Sequence, residues 1–308
     1  MQKRHVYILM LLATVVWSGA FITGKISIRE FSPISLTFLR FLFTLPVIFT
    51  ILYLKHPEDW IPKRKEWLPL GILGLIGTFG YHVFFFTALR YTQAVNASLI
   101  GATNPMVTTF LAIVFLREKL TPMRALGILL SFTGVFFIVT NGDWQALRSL
   151  RFNFGDLIMF TAVWFWASYA VISRVFMQKY QLEPLKVTAY TFFTCTVVSF
   201  PLVLLEAPWQ NWLSASGGAW LSILYMSLFA SIIGYGIQLI GIQHIGAARA
   251  AIFINIVPAF VIIESIVFLG EIFSWFKAFS AGVIILGVYL ASRSETEPSK
   301  HKANNIKQ

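Results

Sequence analysis

An all-α polytopic membrane protein of ten transmembrane helices, arranged as two inverted five-helix repeats, is the fold class this sequence predicts, and three observations predict it. The 308 residues are 57% hydrophobic and only 12% charged, with a mean hydropathy of +0.73, whereas a soluble domain is about a quarter charged. The apolar residues fall in runs about 18 to 24 long, the length that crosses about 30 Å of hydrocarbon at about 1.5 Å per residue. One apolar phrase is also written twice, IVFLREKL from Ile113 and IVFLGEIF from Ile266, 153 positions apart.

Polar breaks place helices at 6–27, 34–54, 68–89, 93–116, 122–141, 154–177, 186–205, 218–241, 247–270 and 275–292. The first follows Lys3 and Arg4 and could pass for a signal peptide, but with so many spans behind it we read it as a membrane helix. The second carries Arg40 inside TFLRFLFTLP, and the third carries Gly71, Gly74 and Gly77, small residues suited to close helix contact. The fourth contains GATNP and closes on Glu118; the fifth holds Gly134. The sixth opens the second half with FWASYAVISR, and the seventh contains Cys195, a lone cysteine that can form no intrachain disulfide. Tyr235 and Gln238 lie in the eighth, INIVP and Glu264 in the ninth, which closes on Glu271, and Gly282 and Gly287 in the tenth. Residues 293–308 form a polar, lysine-bearing tail, expected to be a disordered cytoplasmic end.

Threaded through ten spans, seventeen of the 24 Lys and Arg fall on the side of the N-terminus and six on the other, with Arg40 left inside a span. Lys and Arg resist translocation, so both termini are expected in the cytoplasm. This asymmetry accounts for the net charge of +11 without invoking nucleic acid as a partner; the bilayer itself and its anionic headgroups are the expected surroundings.

The repeat extends well beyond its first phrase. In the 153 register Trp67 meets Trp220, Ala94 meets Ala247, Ala97 meets Ala250, Pro105 meets Pro258, Glu118 meets Glu271 and Gly134 meets Gly287. Earlier in each half the offset slips to 149, pairing Trp17 with Trp166 and Lys25 with Arg174. We therefore divide the chain into a first unit at 6–141 and a second at 153–292. Five helices per unit is an odd number, so the second must enter the membrane from the opposite side. In secondary transporters such inversion supplies two nearly equivalent states around a midplane site.

These features together, a Trp in the first helix of each copy, Ala-x-x-Ala, a Pro, then FL-x-E and a later Gly, resemble the EamA-type branch of the drug/metabolite transporter superfamily over roughly residues 6–292. The resemblance implies ten helices, two inverted EamA domains and movement of small metabolites, often outward, across the bacterial inner membrane. It carries onto Trp17, Arg40, Pro105, Glu118, Gly134, Trp166, Pro258, Glu271 and Gly287. Thr191 departs from it, standing near where a second Arg40 would fall, so any role for Arg40 is asymmetric. Small four-helix relatives work as dimers; this chain carries both halves, which leaves monomer and homodimer open.

Arg40 is the clearest anomaly, since an arginine near mid-span needs water or a partner. It is read either as snorkelling toward the side of Lys25 and Arg29 or as a cavity cation that binds a carboxylate or phosphate. Glu264 is its natural opposite, either its ion-pair partner or a carboxyl that takes up a proton in a coupled cycle. Pro105 and Pro258 are expected to kink their rods. Thr103 and Asn104 then sit beside one kink and Asn255 beside the other, as pocket wall or as packing. Tyr81, His82, Tyr235 and Gln238 lie in paired third helices and would line a common centre, or simply pack. Trp17, Trp164, Trp166 and Tyr169 offer flat apolar faces to a ligand, or anchor the bilayer interface. Glu118 and Glu271 each end a helix, where their charge opposes the dipole. Each is expected to hold a neighbouring helix end, as a gating or structural element.

No HExxH, P-loop or nucleophile elbow occurs, and GILGLIG lacks the Gly-x-Gly of a dinucleotide site. The five His are scattered, which argues against an integral membrane enzyme, and neither metal nor cofactor is expected. The expectation is a secondary active or facilitative transporter exporting amino acids or related small metabolites by alternating access, with protons as a candidate coupling ion. The alternative is an integral membrane protein of structural, signalling or enzymatic role that transports nothing.

Overall fold

The computed structural model of the chain describes residues 3–116, 122–140 and 153–293, and every regular element among them is helical. We number the membrane rods α1 (Lys3–Ser27), α2 (Pro33–Lys55), α3 (Trp67–Tyr91), α4 (Ala94–Phe115), α5 (Pro122–Thr140), α6 (Phe154–Tyr180), α7 (Pro184–Glu206), α8 (Gly217–Ile245), α9 (247–269) and α10 (Trp275–Arg293). Seven of the described rods, α1 to α4 and α6 to α8, are long and apolar enough to cross a membrane on length and composition alone. With α5, α9 and α10 the described rods number ten. A six-residue helix, Trp209–Ser214, occupies the α7–α8 connection where the sequence predicts only loop.

Local chemistry fixes where the rods begin. Pro33 and Pro184 open α2 and α7, at positions where a helix needs no amide donor. Side chains of Ser32, Asn153 and Ser216 accept the free N–H groups of Ser35, Gly155 and Ala219. At the ends of α8 and α9 the chain turns through Gly246 (φ 88°) and Gly270 (φ 68°), a backbone region that glycine enters without steric penalty.

Each rod finds its main partners in the other repeat. α1 packs against α8 and α9, and α6 against α3 and α4, which is the same arrangement carried through the inversion. α2 lies on α7, and α5 on α10.

Four interruptions come in two symmetric pairs. α3 widens into a π-helical segment at Gly74–Gly80 and α8 does so at Met226–Tyr235, overlapping stretches in the 153 register. A π segment shifts the hydrogen-bond ladder by one residue and is common at functional sites. The second pair corrects the expected kinks. α4 is two helices, Ala94–Gly101 and Asn104–Leu116, and α9 is a first helix Ala247–Ile252, which begins at the counterpart of Ala94, a 3₁₀ turn at Phe253–Ile256 and then Val257–Leu269. Pro105 and Pro258 stand second in the later segments, so each starts a half-helix and does not bend a continuous one. Each also withholds the α-helical donor from the carbonyl four residues back, at Gly101 and Ile254.

Candidate functional site

The π segments do more than widen the rods. Ser231 donates its hydroxyl to the Met226 carbonyl five residues back (3.0 Å), and its Oγ in turn accepts the Arg40 Nε–H (2.9 Å). Ala230 offers its carbonyl to the Trp17 indole N–H (3.1 Å). The Tyr235 hydroxyl reaches across to the Gly77 carbonyl of the other π segment (3.1 Å), and His82 donates from Nδ1 to the Thr78 carbonyl (2.7 Å). Glycines make the approach possible. A Cβ on Gly234 would stand 2.2 Å from Trp17 Nε1, and one on Gly77 would stand 2.1 Å from Tyr169 Cδ2.

Arg40 does not snorkel. Only 2% exposed, its guanidinium carbon lies 5.5 Å from the Phe41 ring centre and 6.0 Å from that of Phe86. Among the described residues it has no ion-pair partner.

Around it opens a cavity with about 590 Å³ of empty space, counted out to its open side. Its walls come in symmetry pairs: Trp17 with Trp166, His82 with Tyr235, Gly101 with Ile254, and Asn104 with Val257. The Gly101 and Ile254 carbonyls, whose α-helical donors the prolines withhold, thus belong to residues on this cavity, and the 3₁₀ turn gives that of Ile254 the Val257 N–H instead. Arg40, Tyr81 and Phe85 add to it from the first repeat and Met159 and Val163 from the second. The aromatic rings interlock. Trp166 meets Trp17 edge-on at 5.8 Å, Tyr235 edge-on at 5.0 Å and Tyr81 at 4.8 Å.

Seven of the ten residues expected to touch substrate therefore meet here: Trp17, Arg40, Tyr81, His82, Asn104, Trp166 and Tyr235. Thr103, Gln238 and Asn255 do not line the cavity. Thr103 returns its hydroxyl to the Ile100 carbonyl (2.7 Å). Gln238 is fully buried, and among the described residues neither of its amide atoms nor the Asn255 oxygen has a partner. Trp164 faces Phe110 and Phe160, while Tyr169 packs on Trp166 and Tyr235 behind the wall.

The expected Arg40–Glu264 pair does not form. Glu264 is half-buried against α1, where Oε1 accepts from Ser18 Oγ (2.9 Å) and Oε2 has no partner among the described residues. Glu271 holds a neighbouring helix end: Oε1 accepts the Ala94 N–H (2.8 Å) and Oε2 that of Val95 (3.3 Å). Its charge thereby meets the positive end of the Ala94–Gly101 helix, where the dipole favours it. Glu118, its counterpart, lies outside the described residues.

That contact belongs to a wider clasp on the short α3–α4 turn, at the end of the bundle opposite the N-terminus. Lys25 Nζ caps the end of α3 through the carbonyls of Leu89 and Thr92, at 2.6 Å each. Thr92 bonds to Asp156 of α6, and Gln93 to Lys277 of α10. At the other end Lys186 of α7 binds Asp59 (2.8 Å) and Glu66 (3.3 Å) of the α2–α3 loop. Hydrogen bonding to Lys186 holds the Asp59 carboxyl below its ordinary range.

Ser231, the Ala230 carbonyl and Asp156 were not among the residues singled out from sequence. The glycine spacing around the π segments was the available signal, and it reads equally well as ordinary close helix packing.

A multi-pass bundle whose two halves face each other across one cavity is the architecture of a membrane transporter. The family comparison agrees, for the EamA-like transporter family model matches residues 5–140 and 153–293, and the chain belongs to that family. It is 32% identical over 292 residues to the uncharacterized transporter YyaM of Bacillus subtilis (strain 168), covering 95% of each chain. An uncharacterized transporter of Archaeoglobus fulgidus is 30% identical over 294 residues, covering 96% of this chain and 99% of that one. The Escherichia coli (strain K12) inner membrane transporter YhbE is 23% identical over 86% of this chain and 81% of its own. One crystal structure superposes with a TM-score of 0.69 at 20% identity, covering 95% of this chain and 98% of that one, which supports the fold alone.

Proposed function

We propose that the chain exports amino acids or related small metabolites across a bacterial inner membrane by alternating access, as a secondary active or facilitative transporter and not as an enzyme. Its basic residues favour cytoplasmic termini. One observation carries the reading: Arg40 is buried, has no carboxylate partner among the described residues, and stands on a cavity shared by the two repeats. A buried cation is tolerable when a ligand anion or water completes it.

In this reading Arg40 and Asn104 hold a carboxylate, while Trp17, Tyr81, Trp166 and Tyr235 enclose the remainder. The paired half-helices of α4 and α9 and the paired π segments of α3 and α8 are the points where the rods change shape. Glu271, with Glu118 in the other repeat, gates the two ends. Glu264, one oxygen unpartnered among the described residues, is the carboxyl that takes up a proton if transport is proton-coupled. The chain acts alone or as a homodimer.

The test is flux of a labelled amino-acid mixture through proteoliposomes, with and without an imposed pH gradient. Arg40→Ala and Asn104→Ala should each abolish flux while leaving membrane insertion intact. Unchanged flux in both variants would remove this pocket, and silence across the whole mixture in the unaltered protein would overturn the substrate class.

A further inference from the structure

Resting on the reading of this cavity as the transport site, the geometry points to its substrate class: we propose that it prefers a net-anionic carboxylate with a flat ring and no ammonium group over the zwitterionic amino acid of the same skeleton. The first argument is formal charge. Among the described residues the cavity lining contains one cation, Arg40, and no Asp or Glu. The acids of neighbouring elements are engaged elsewhere: Glu264 with Ser18, Glu271 with the start of α4, and Asp156 with Thr92. A bound carboxylate neutralises Arg40. A zwitterion does so too, but brings an ammonium that must leave water with no carboxylate to receive it.

The second argument is the balance of unspent hydrogen-bonding groups. Trp17 has given its N–H to Ala230, Tyr235 its O–H to Gly77 and His82 its Nδ1–H to Thr78. Arg40 spends Nε on Ser231, and among the described residues its two terminal nitrogens have no hydrogen-bond partner. Asn104 is 2% exposed; its Oδ1 already accepts the Thr108 hydroxyl (3.2 Å), while its Nδ2 has no partner among the described residues. Those groups are donors, and a carboxylate is acceptor-only. Asn104 also begins the second helix of α4, so its surroundings carry the positive end of that dipole. The Gly101 carbonyl and His82 Nε2, an acceptor once Nδ1 donates, are the features that suit an amine, but both are neutral. They make the amino acid the competing outcome.

Three probes with one skeleton separate the cases: 3-phenylpropionate, phenylalanine and phenethylamine. Equilibrium binding to the purified protein in nanodiscs, read by tryptophan fluorescence, avoids passive permeation of the protonated acid. The acid should bind about tenfold tighter than phenylalanine, the amine should not bind measurably, and Arg40→Gln should lose about tenfold or more of the acid's affinity. If that variant does not fold, the ranking in the unaltered protein decides by itself. Phenylalanine binding as tightly as the acid, or tighter, would overturn the preference and leave transport standing. No binding of any probe, with the amino-acid mixture still carried in proteoliposomes, would overturn the ring-bearing anion alone. Absence of both binding and flux would overturn the transport reading itself.

Discussion

Replacing Glu271 with Gln removes one charge from the start of α4 while leaving the side chain's shape almost unchanged. The two amides it accepts belong to buried residues, Ala94 at 0% and Val95 at 5% exposure, so water is poorly placed to substitute. Hydrogen bonds to a charged group contribute about 1.5–3 kcal/mol each. The contact to Val95, at 3.3 Å, belongs at the low end. Gln retains a neutral bond to Ala94 but turns an N–H or a weaker acceptor toward Val95, and it no longer attracts Lys25 and Lys277, on both of which Glu271 acts through its charge. The net loss is about 2–3 kcal/mol, which at about 1.4 kcal/mol per decade is roughly a 30- to 150-fold shift toward local opening. Hydrogen exchange resolved at the Ala94 and Val95 amides measures it directly. Exchange should accelerate by that factor at these amides and not at the buried end of α7. Unchanged protection would refute the idea that the carboxylate holds this helix end.

Gly234→Ala places a methyl 2.2 Å from Trp17 Nε1; overpacking of that kind destabilises by about 1–3 kcal/mol, so the thermal melt should fall and ligand affinity with it, and a melt matching the unaltered protein would contradict the close approach. Tyr235→Phe leaves the Gly77 carbonyl without its cross-repeat donor, for a loss of about 1 kcal/mol in the same melt. The Asp59 carboxyl has its folded value depressed by Lys186, so its stabilisation is fully present above the ordinary carboxylate value of about 3.9 and is lost as pH falls through the depressed one. Cleavage of the 56–66 loop by an acid-active protease should therefore rise steeply below about pH 4, and Lys186→Met should flatten that dependence.

Element type and order were legible because a bilayer demands long apolar rods, and an odd-numbered duplication dictates inversion. Trp17, Trp166, His82 and Tyr235 could be placed together because matching register puts matching residues at matching depth. What the register does not carry is side-chain direction. Gln238 and Asn255 share that depth, yet neither lines the cavity. Glu264 looked like a partner for Arg40 because both are charged within spans, but α1 offers the nearer hydroxyl at Ser18. The half-helices were misread as kinks because a proline at the start of a helix and one in its middle look alike until the preceding turn is seen. The π segments leave no periodicity strong enough to read, so the role of Ser231 was hidden.

The packing of α1 on α8 and α9, and of α5 on α10, has a consequence for how the protein is made. The first five helices leave the ribosome before their principal neighbours exist, so they must wait in the lipid with unfinished faces. The two halves, synthesised as separate polypeptides, should therefore find one another in the membrane and rebuild the whole, while either half expressed by itself should be cleared by quality control.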